Sequence, residues 1–178
     1  NKTKAAAKAG NAPSVFHSFD VGTLQLVHSG IITPIEDIAA WDPIKWDDFV
    51  APVRSYYTVS GRHYSMPFNS STPLLYYNKS LFEKAGLDPE KPPVTFDEVV
   101  EVSRKLKAAL PDLKAPITWN LHSWYFEQFN CLSDEPLVNE NNGREGVLPT
   151  KAVFNGAVAQ DIIEWWTGME KEGLFLDV

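Results

Sequence analysis

The strongest constraint on this chain is an alternation of short β-prone apolar runs with helices whose ends are marked in the sequence. Thr95 and Glu98 fit a capping box, in which the Thr oxygen and the Glu carboxylate serve free backbone N–H groups. The helix behind them is predicted to reach about Leu110, with Val99, Val102, Leu106 and Ala109 on one face, and Pro111 stops it. A second long helix is predicted over Asn155–Glu172, where Val158, Ile162, Trp165 and Met169 recur at helical spacing. Asn78 is a cap for a short helix from Lys79 to Ala85, closed by Gly86. Trp124–Phe129 reads as another helix, and Asp20–Thr23 as the opening of one that Gly30 ends.

Between these lie the β-prone runs. Ser14–Phe19 and Pro116–Trp119 are candidate strands, Leu74–Tyr77 a candidate buried strand, and Tyr57–Ser65 a hairpin turning at Ser60-Gly61. Strands alternating with helices imply an α/β fold with a mostly parallel sheet. Asn139–Arg144 reads as a polar loop, and Asn1–Ala9 as an uncapped Lys/Ala-rich helix closed by Asn11-Ala12-Pro13. That uncapped start, and an end at Val178 just after a helix, lead us to expect a fragment of a longer protein.

Composition narrows function by exclusion. A net charge of -7 argues against nucleic acid as a partner. It does not argue against a small anion, because a concave site can be locally positive on an acidic protein. Cys131 stands alone, so no disulfide framework is expected. No phosphate-binding glycine loop and no nucleophile elbow occurs. His17, His28, His63 and His122 lack metal-ligand spacing, so neither a metal nor a cofactor is expected. The carboxylate pairs Glu36/Asp37 and Asp47/Asp48 sit where helices begin, which suits the helix dipole better than catalysis, and no enzyme is expected.

Three groupings could meet a ligand. Asn69, Ser70, Ser71 and Thr72 place one amide and three hydroxyls between Pro67 and Pro73. Such groups donate and accept, and so suit hydroxyls or phosphate oxygens; an ordinary Asn/Ser turn accounts for the composition as well. Trp119 and Trp124 can stack on polyol C–H faces or serve as core. Asp20 can accept from ligand hydroxyls or cap the helix that begins beside it.

The chain resembles family-1 extracellular solute-binding proteins of ABC importers, and within them the sn-glycerol-3-phosphate/glycerophosphodiester-binding group. The resemblance is carried by Ala9–Pro13, Phe19–Thr23, Pro67–Pro73, Leu75–Lys79, Phe82–Pro89, Pro92-Pro93 and Asn141-Asn142-Gly143. It implies part of a type II two-lobe periplasmic-binding-protein fold with the ligand cleft between lobes. Residues 1–73 would belong to the first lobe, and 74–178 to the hinge strand and the beginning of the second. By the same resemblance Ser71 contacts the ligand, flanked by Asn69 and Ser70. Asp20 stands where the family usually has Glu, and Trp119 and Trp124 fall on two family tryptophans. Asp20 is shorter than Glu, and the two tryptophans stand further apart here than in the family.

The implied activity is capture of sn-glycerol-3-phosphate or a glycerophosphodiester for a membrane permease, with a sugar or oligosaccharide as the alternative ligand. The implied protein is a monomer, periplasmic or otherwise extracytoplasmic, with a lipid anchor allowed.

Overall fold

The computed structural model describes residues 2–42, 44–144 and 147–178. Packing divides the chain into two compact units, Asn1–Ser71 with Val138–Lys151 and Thr72–Leu137 with Ala152–Val178. The first change of unit falls between Ser71 and Thr72, and Val138–Lys151 goes with the first unit.

The first unit is built from short helices: α1 (Lys2–Lys8), α2 (Thr23–His28), α3 (Ile35–Ile38) and α4 (Ala51–Tyr56). Asn1, the first residue of the expected terminal helix, lies outside the described residues. The expected hairpin is present: β1 (Thr58–Val59) pairs antiparallel with β2 (Arg62–His63), in register Thr58↔His63 and Val59↔Arg62. Ser60 and Gly61 both take positive φ, 49° and 75°, as a two-residue type I′ loop requires. Val59, Leu26 and Thr23 are the buried side chains of this unit among the described residues.

A left-handed turn at Asn139–Gly143 completes it. Glu140, Asn141 and Asn142 have φ of 57°, 50° and 55°, a conformation that costs roughly 1–2 kcal/mol per L-residue. Side-chain hydrogen bonds hold the turn in place. Asn139 Oδ1 accepts from Thr150 N at 2.9 Å and Lys151 N at 3.0 Å, and Asn142 Oδ1 accepts from Val138 N at 3.1 Å. Gly143, at φ 74°, is buried, and a Cβ there would lie 2.7 Å from Leu24 Cδ2. Any other residue there would be strained by the positive φ and would push the Leu24 side chain aside.

The second unit holds α5 (Lys79–Lys84), α6 (Phe96–Ala109), β3 (Ile117–Trp119), α7 (Ser123–Leu132), α8 (Ala157–Lys171) and β4 (Phe175–Asp177). Asn78 Oδ1 accepts from Leu81 N at 3.2 Å, and both halves of the Thr95/Glu98 capping box form. β3 and β4 are parallel, with Trp119 opposite Asp177. The core comprises Phe82, Leu106, Ala159, Ile162, Met169 and Leu174. An aromatic cluster flanks it: the Phe96 ring meets Phe129 and Trp165, each with centroids 4.9 Å apart. Trp165 Nε1 donates to Phe96 O at 3.1 Å.

Two expected strands do not form. Ser14–Phe19 is irregular, and Leu74–Tyr77 makes no strand pair among the described residues, leaving Leu74, Leu75 and Tyr76 exposed. A β-prone run becomes a buried strand only where neighbours complete its ladder, and none of the described residues does so here.

Candidate functional site

In the first unit, Asp20 opens a single 3₁₀ turn, Asp20–Gly22, that leads into α2. Its Oδ1 accepts from Val21 N at 2.8 Å, and its carbonyl accepts from the Thr23 hydroxyl at 2.7 Å. One exposed carboxylate oxygen is therefore committed locally; Oδ2 makes no hydrogen bond among the described residues.

Three residues of the same unit that sequence reasoning missed, Tyr56, Tyr57 and Arg144, pack against one another. Burial pushes the Tyr56 hydroxyl above its ordinary value; the Arg144 cation works against that shift, and the negative charge of Asp20 adds to it. Tyr57 behaves alike, with burial the largest cause, Asp20 adding and Arg144 opposing. The Arg144 guanidinium carbon lies 3.6 Å from the centre of the Tyr56 ring, and Nη1 donates to Tyr56 O at 2.7 Å. The only hint of Arg144 in the sequence is its place directly after Asn141-Asn142-Gly143.

Asn69, Ser70 and Ser71 lie in an exposed irregular segment, and their side chains make no hydrogen bonds among the described residues. The segment follows Phe68, whose ring meets His17 edge-on at 5.7 Å. The three polar side chains are thus available to a ligand and unused by the fold of their own unit.

Trp119 and Trp124 belong to the second unit. Trp119 is half-buried and nearly parallel to Trp165, with centroids 5.3 Å apart and planes at 12°, and it lies 4.0 Å from Phe175. Its Nε1 is buried and has no acceptor among the described residues. Core packing engages the ring, while the indole donor stays unspent. Trp124, in the first turn of α7, is half-buried against Tyr125 at 5.1 Å. The loop between the two tryptophans is tied to β4, Leu121 N donating to Asp177 Oδ1 at 2.9 Å.

Three of the four carboxylates in the pairs Glu36/Asp37 and Asp47/Asp48 have partners among the described residues. Glu36 Oε1 lies 2.6 Å from His63 Nδ1, Asp37 pairs with Arg62, and Asp47 lies 2.6 Å from Arg54. Among the described residues no group of three His, Cys, Asp or Glu side chains is arranged to hold a metal ion. None of the described helices is long and apolar enough to cross a membrane.

Comparison with known proteins bears on the whole chain. Residues 1–177 match the family described as bacterial extracellular solute-binding protein. The sn-glycerol-3-phosphate-binding periplasmic protein UgpB of Pectobacterium atrosepticum is 38% identical over 176 residues, covering 96% of this chain and 39% of the relative. UgpB of Salmonella typhimurium is 41% identical over 178 residues, covering 96% of this chain and 40% of the relative. Among solved structures, UgpB from Mycobacterium tuberculosis in complex with glycerophosphocholine superposes with a TM-score of 0.80 at 23% identity, over 99% of this chain and 45% of that one. The sugar-binding protein MalE from Xanthomonas citri gives 0.78 at 21% identity, over 98% of this chain and 42% of that one. The chain therefore spans less than half the length of these relatives, and its α/β architecture is that of part of a solute-binding fold.

Proposed function

We propose, from the premise that this chain belongs to the bacterial extracellular solute-binding protein family, that it is part of the ligand-capturing component of an ABC importer. The ligand is sn-glycerol-3-phosphate or a glycerophosphodiester, bound without bond cleavage and passed to a membrane permease. The observation that carries this reading is the run Asn69–Ser71. Its amide and two hydroxyls are exposed and make no hydrogen bonds among the described residues, in a chain 38% identical to a relative named for binding that ligand.

Each residue has a stated task. Ser71, with Asn69 and Ser70 beside it, donates to phosphate or hydroxyl oxygens. The free Oδ2 of Asp20 accepts from glycerol hydroxyls. Trp119 and Trp124 offer apolar ring surface, and Trp119 adds an indole N–H that lacks a protein acceptor among the described residues. In this reading the chain crosses from the first lobe to the second near Pro73–Asn78, and most of the residues after it begin the second lobe. The protein is read as monomeric and extracytoplasmic, with a lipid anchor compatible with this role.

Isothermal calorimetry on the full-length protein tests the reading, with sn-glycerol-3-phosphate, glycerophosphocholine and a maltooligosaccharide as ligands. Binding of either phosphate ester supports it. Binding of the oligosaccharide alone replaces it with the sugar-binding alternative, which the likeness to a sugar-binding protein of the same fold keeps in view. Ser71→Ala is expected to weaken phosphate-ester binding by about 1–3 kcal/mol. Because the side chain is exposed and makes no hydrogen bond among the described residues, stability should stay within about 0.5 kcal/mol.

A further inference from the structure

Arg144 is the feature of the first unit that the proposed site does not yet use. Arg54 and Arg62, the other arginines of that unit, are each tied to a carboxylate, Asp47 and Asp37. Arg144 forms no ion pair among the described residues. It is half-buried, lies over the Tyr56 ring at 3.6 Å and commits one N–H to Tyr56 O at 2.7 Å. A guanidinium carries five N–H donors, so most of its hydrogen-bonding capacity is left for an anion, and the aromatic face beneath holds its plane in place.

The approach to Arg144 is over-determined. The preceding turn holds Glu140, Asn141 and Asn142 in the left-handed region, against their intrinsic preference. A Cβ at Gly143 would meet the Leu24 side chain of α2, the helix that follows the turn begun by Asp20. The negative charge of Asp20 and the cation of Arg144 act with opposite sign on the hydroxyls of Tyr56 and Tyr57, and the Tyr56 ring meets both Arg144 and Tyr57. A backbone held in a costly conformation beside a cation with no ion-pair partner among the described residues fixes a positive charge in place on a chain of net charge -7.

We propose that Arg144 is a specificity-determining residue that reads the charge of the ligand's phosphate, while Asp20 reads the hydroxyls of the glycerol. The inference rests on the capture of a phosphate ester proposed above. It adds a discrimination: a dianionic monoester gains more from Arg144 than a diester, whose phosphate carries a single negative charge.

The test is calorimetry on the full-length protein and its Arg144→Gln and Arg144→Lys variants, with sn-glycerol-3-phosphate and glycerophosphocholine near neutral pH. Arg144→Gln is expected to weaken sn-glycerol-3-phosphate by about 10- to 100-fold, and glycerophosphocholine by clearly less. Arg144→Lys keeps the charge but loses the planar fork, and should recover part of the loss for the monoester. A loss equal for both ligands marks Arg144 as a structural strut and overturns the proposal, as does unchanged affinity for both. Should Arg144→Gln fail to fold by circular dichroism, the monoester-to-diester affinity ratio of Arg144→Lys decides; an unchanged ratio again overturns it. If the unaltered protein binds neither phosphate ester, the capture reading falls too, which separates that failure from one confined to Arg144.

Discussion

The two units of this chain are stabilised by different means. The second is organised by apolar burial: Met169 and Leu174 are each 1% exposed, and rings from α6, α7, β3, α8 and β4 meet around Phe96, Phe129, Trp119 and Trp165. The first buries little beyond Leu26, Val59 and Thr23, and its elements are joined by polar ties. Glu36 of α3 reaches both the backbone N–H and the ring of His63 in β2, while Trp46 stacks on that ring at 3.8 Å. Arg144 joins the left-handed turn to α4 in the same manner. Apolar packing tolerates small displacements, whereas a hydrogen bond or a stacked cation fixes direction as well as distance. Asp20 and Ser71 thus sit on a unit whose geometry is set by specific pairings.

The largest expected effect probes the apolar side of this contrast. Met169→Ala should destabilise the second unit by about 2–5 kcal/mol, read from urea denaturation followed by tryptophan fluorescence. Leu26→Ala, at 7% exposure in the thinly covered first unit, should cost less, because its surroundings can collapse into the space left behind. Equal losses would break the comparison and show that the first unit relies on its small core as heavily as the second does.

What sequence could reveal follows the same division. The Asn78 cap, the Thr95/Glu98 box and the Ser60-Gly61 turn depend on residues three positions apart or fewer, so their chemistry is complete in the local string. The long helices were readable from the spacing of Ile162, Trp165 and Met169. Leu74–Tyr77 was not, because burial of a strand depends on partners that the run itself does not specify. The pairing of Arg144 with Tyr56 joins positions 88 residues apart, and no local pattern encodes it. Asp20, Ser71 and Trp119 are residue types that suit a polar ligand, but composition alone favours a cap for Asp20 and slightly favours a turn for Ser71, and leaves a core ring as good a reading for Trp119. The ligand-contacting roles proposed for them come from family resemblance. The structure adds which of their atoms the fold already uses: Asp20 Oδ1 and the Trp119 ring are engaged, Asp20 Oδ2 and the Ser71 hydroxyl are not.

A smaller effect, on the polar side, depends on pH. Burial alone would raise the Glu36 carboxyl, but hydrogen bonds from His63 and the backbone outweigh it and hold the carboxyl below the usual value. A lowered folded-state value means the stabilisation is present above the unfolded carboxylate range, near pH 4.3, and is lost as pH falls through the folded value. Glu36→Gln should therefore cost about 1 kcal/mol at pH 7, with the difference from the unaltered protein closing on acidification below about pH 4. A difference that stays constant down to pH 3 would show that Glu36 acts by packing, and would weaken the case for polar organisation of this unit.

The smallest effect concerns a polar tie in the unit that does not depend on one. Arg104 and Glu172 form a bidentate pair in the second unit, at 2.7 and 2.6 Å, joining α6 to the end of α8. The geometry is better than that of most surface pairs, yet the side chains are 58% and 41% exposed, so water and salt screen the attraction. α6 and α8 are in any case joined at the other end of the pair, where the Trp165 ring meets Phe96 and its Nε1 donates to Phe96 O. A double-mutant cycle with Arg104→Ala and Glu172→Ala should give a coupling below about 1 kcal/mol that shrinks in 1 M salt. A coupling larger than the cost of Glu36→Gln would reverse the contrast. The direction of a tie would then matter as much over a filled aromatic core as it does where little apolar surface is buried.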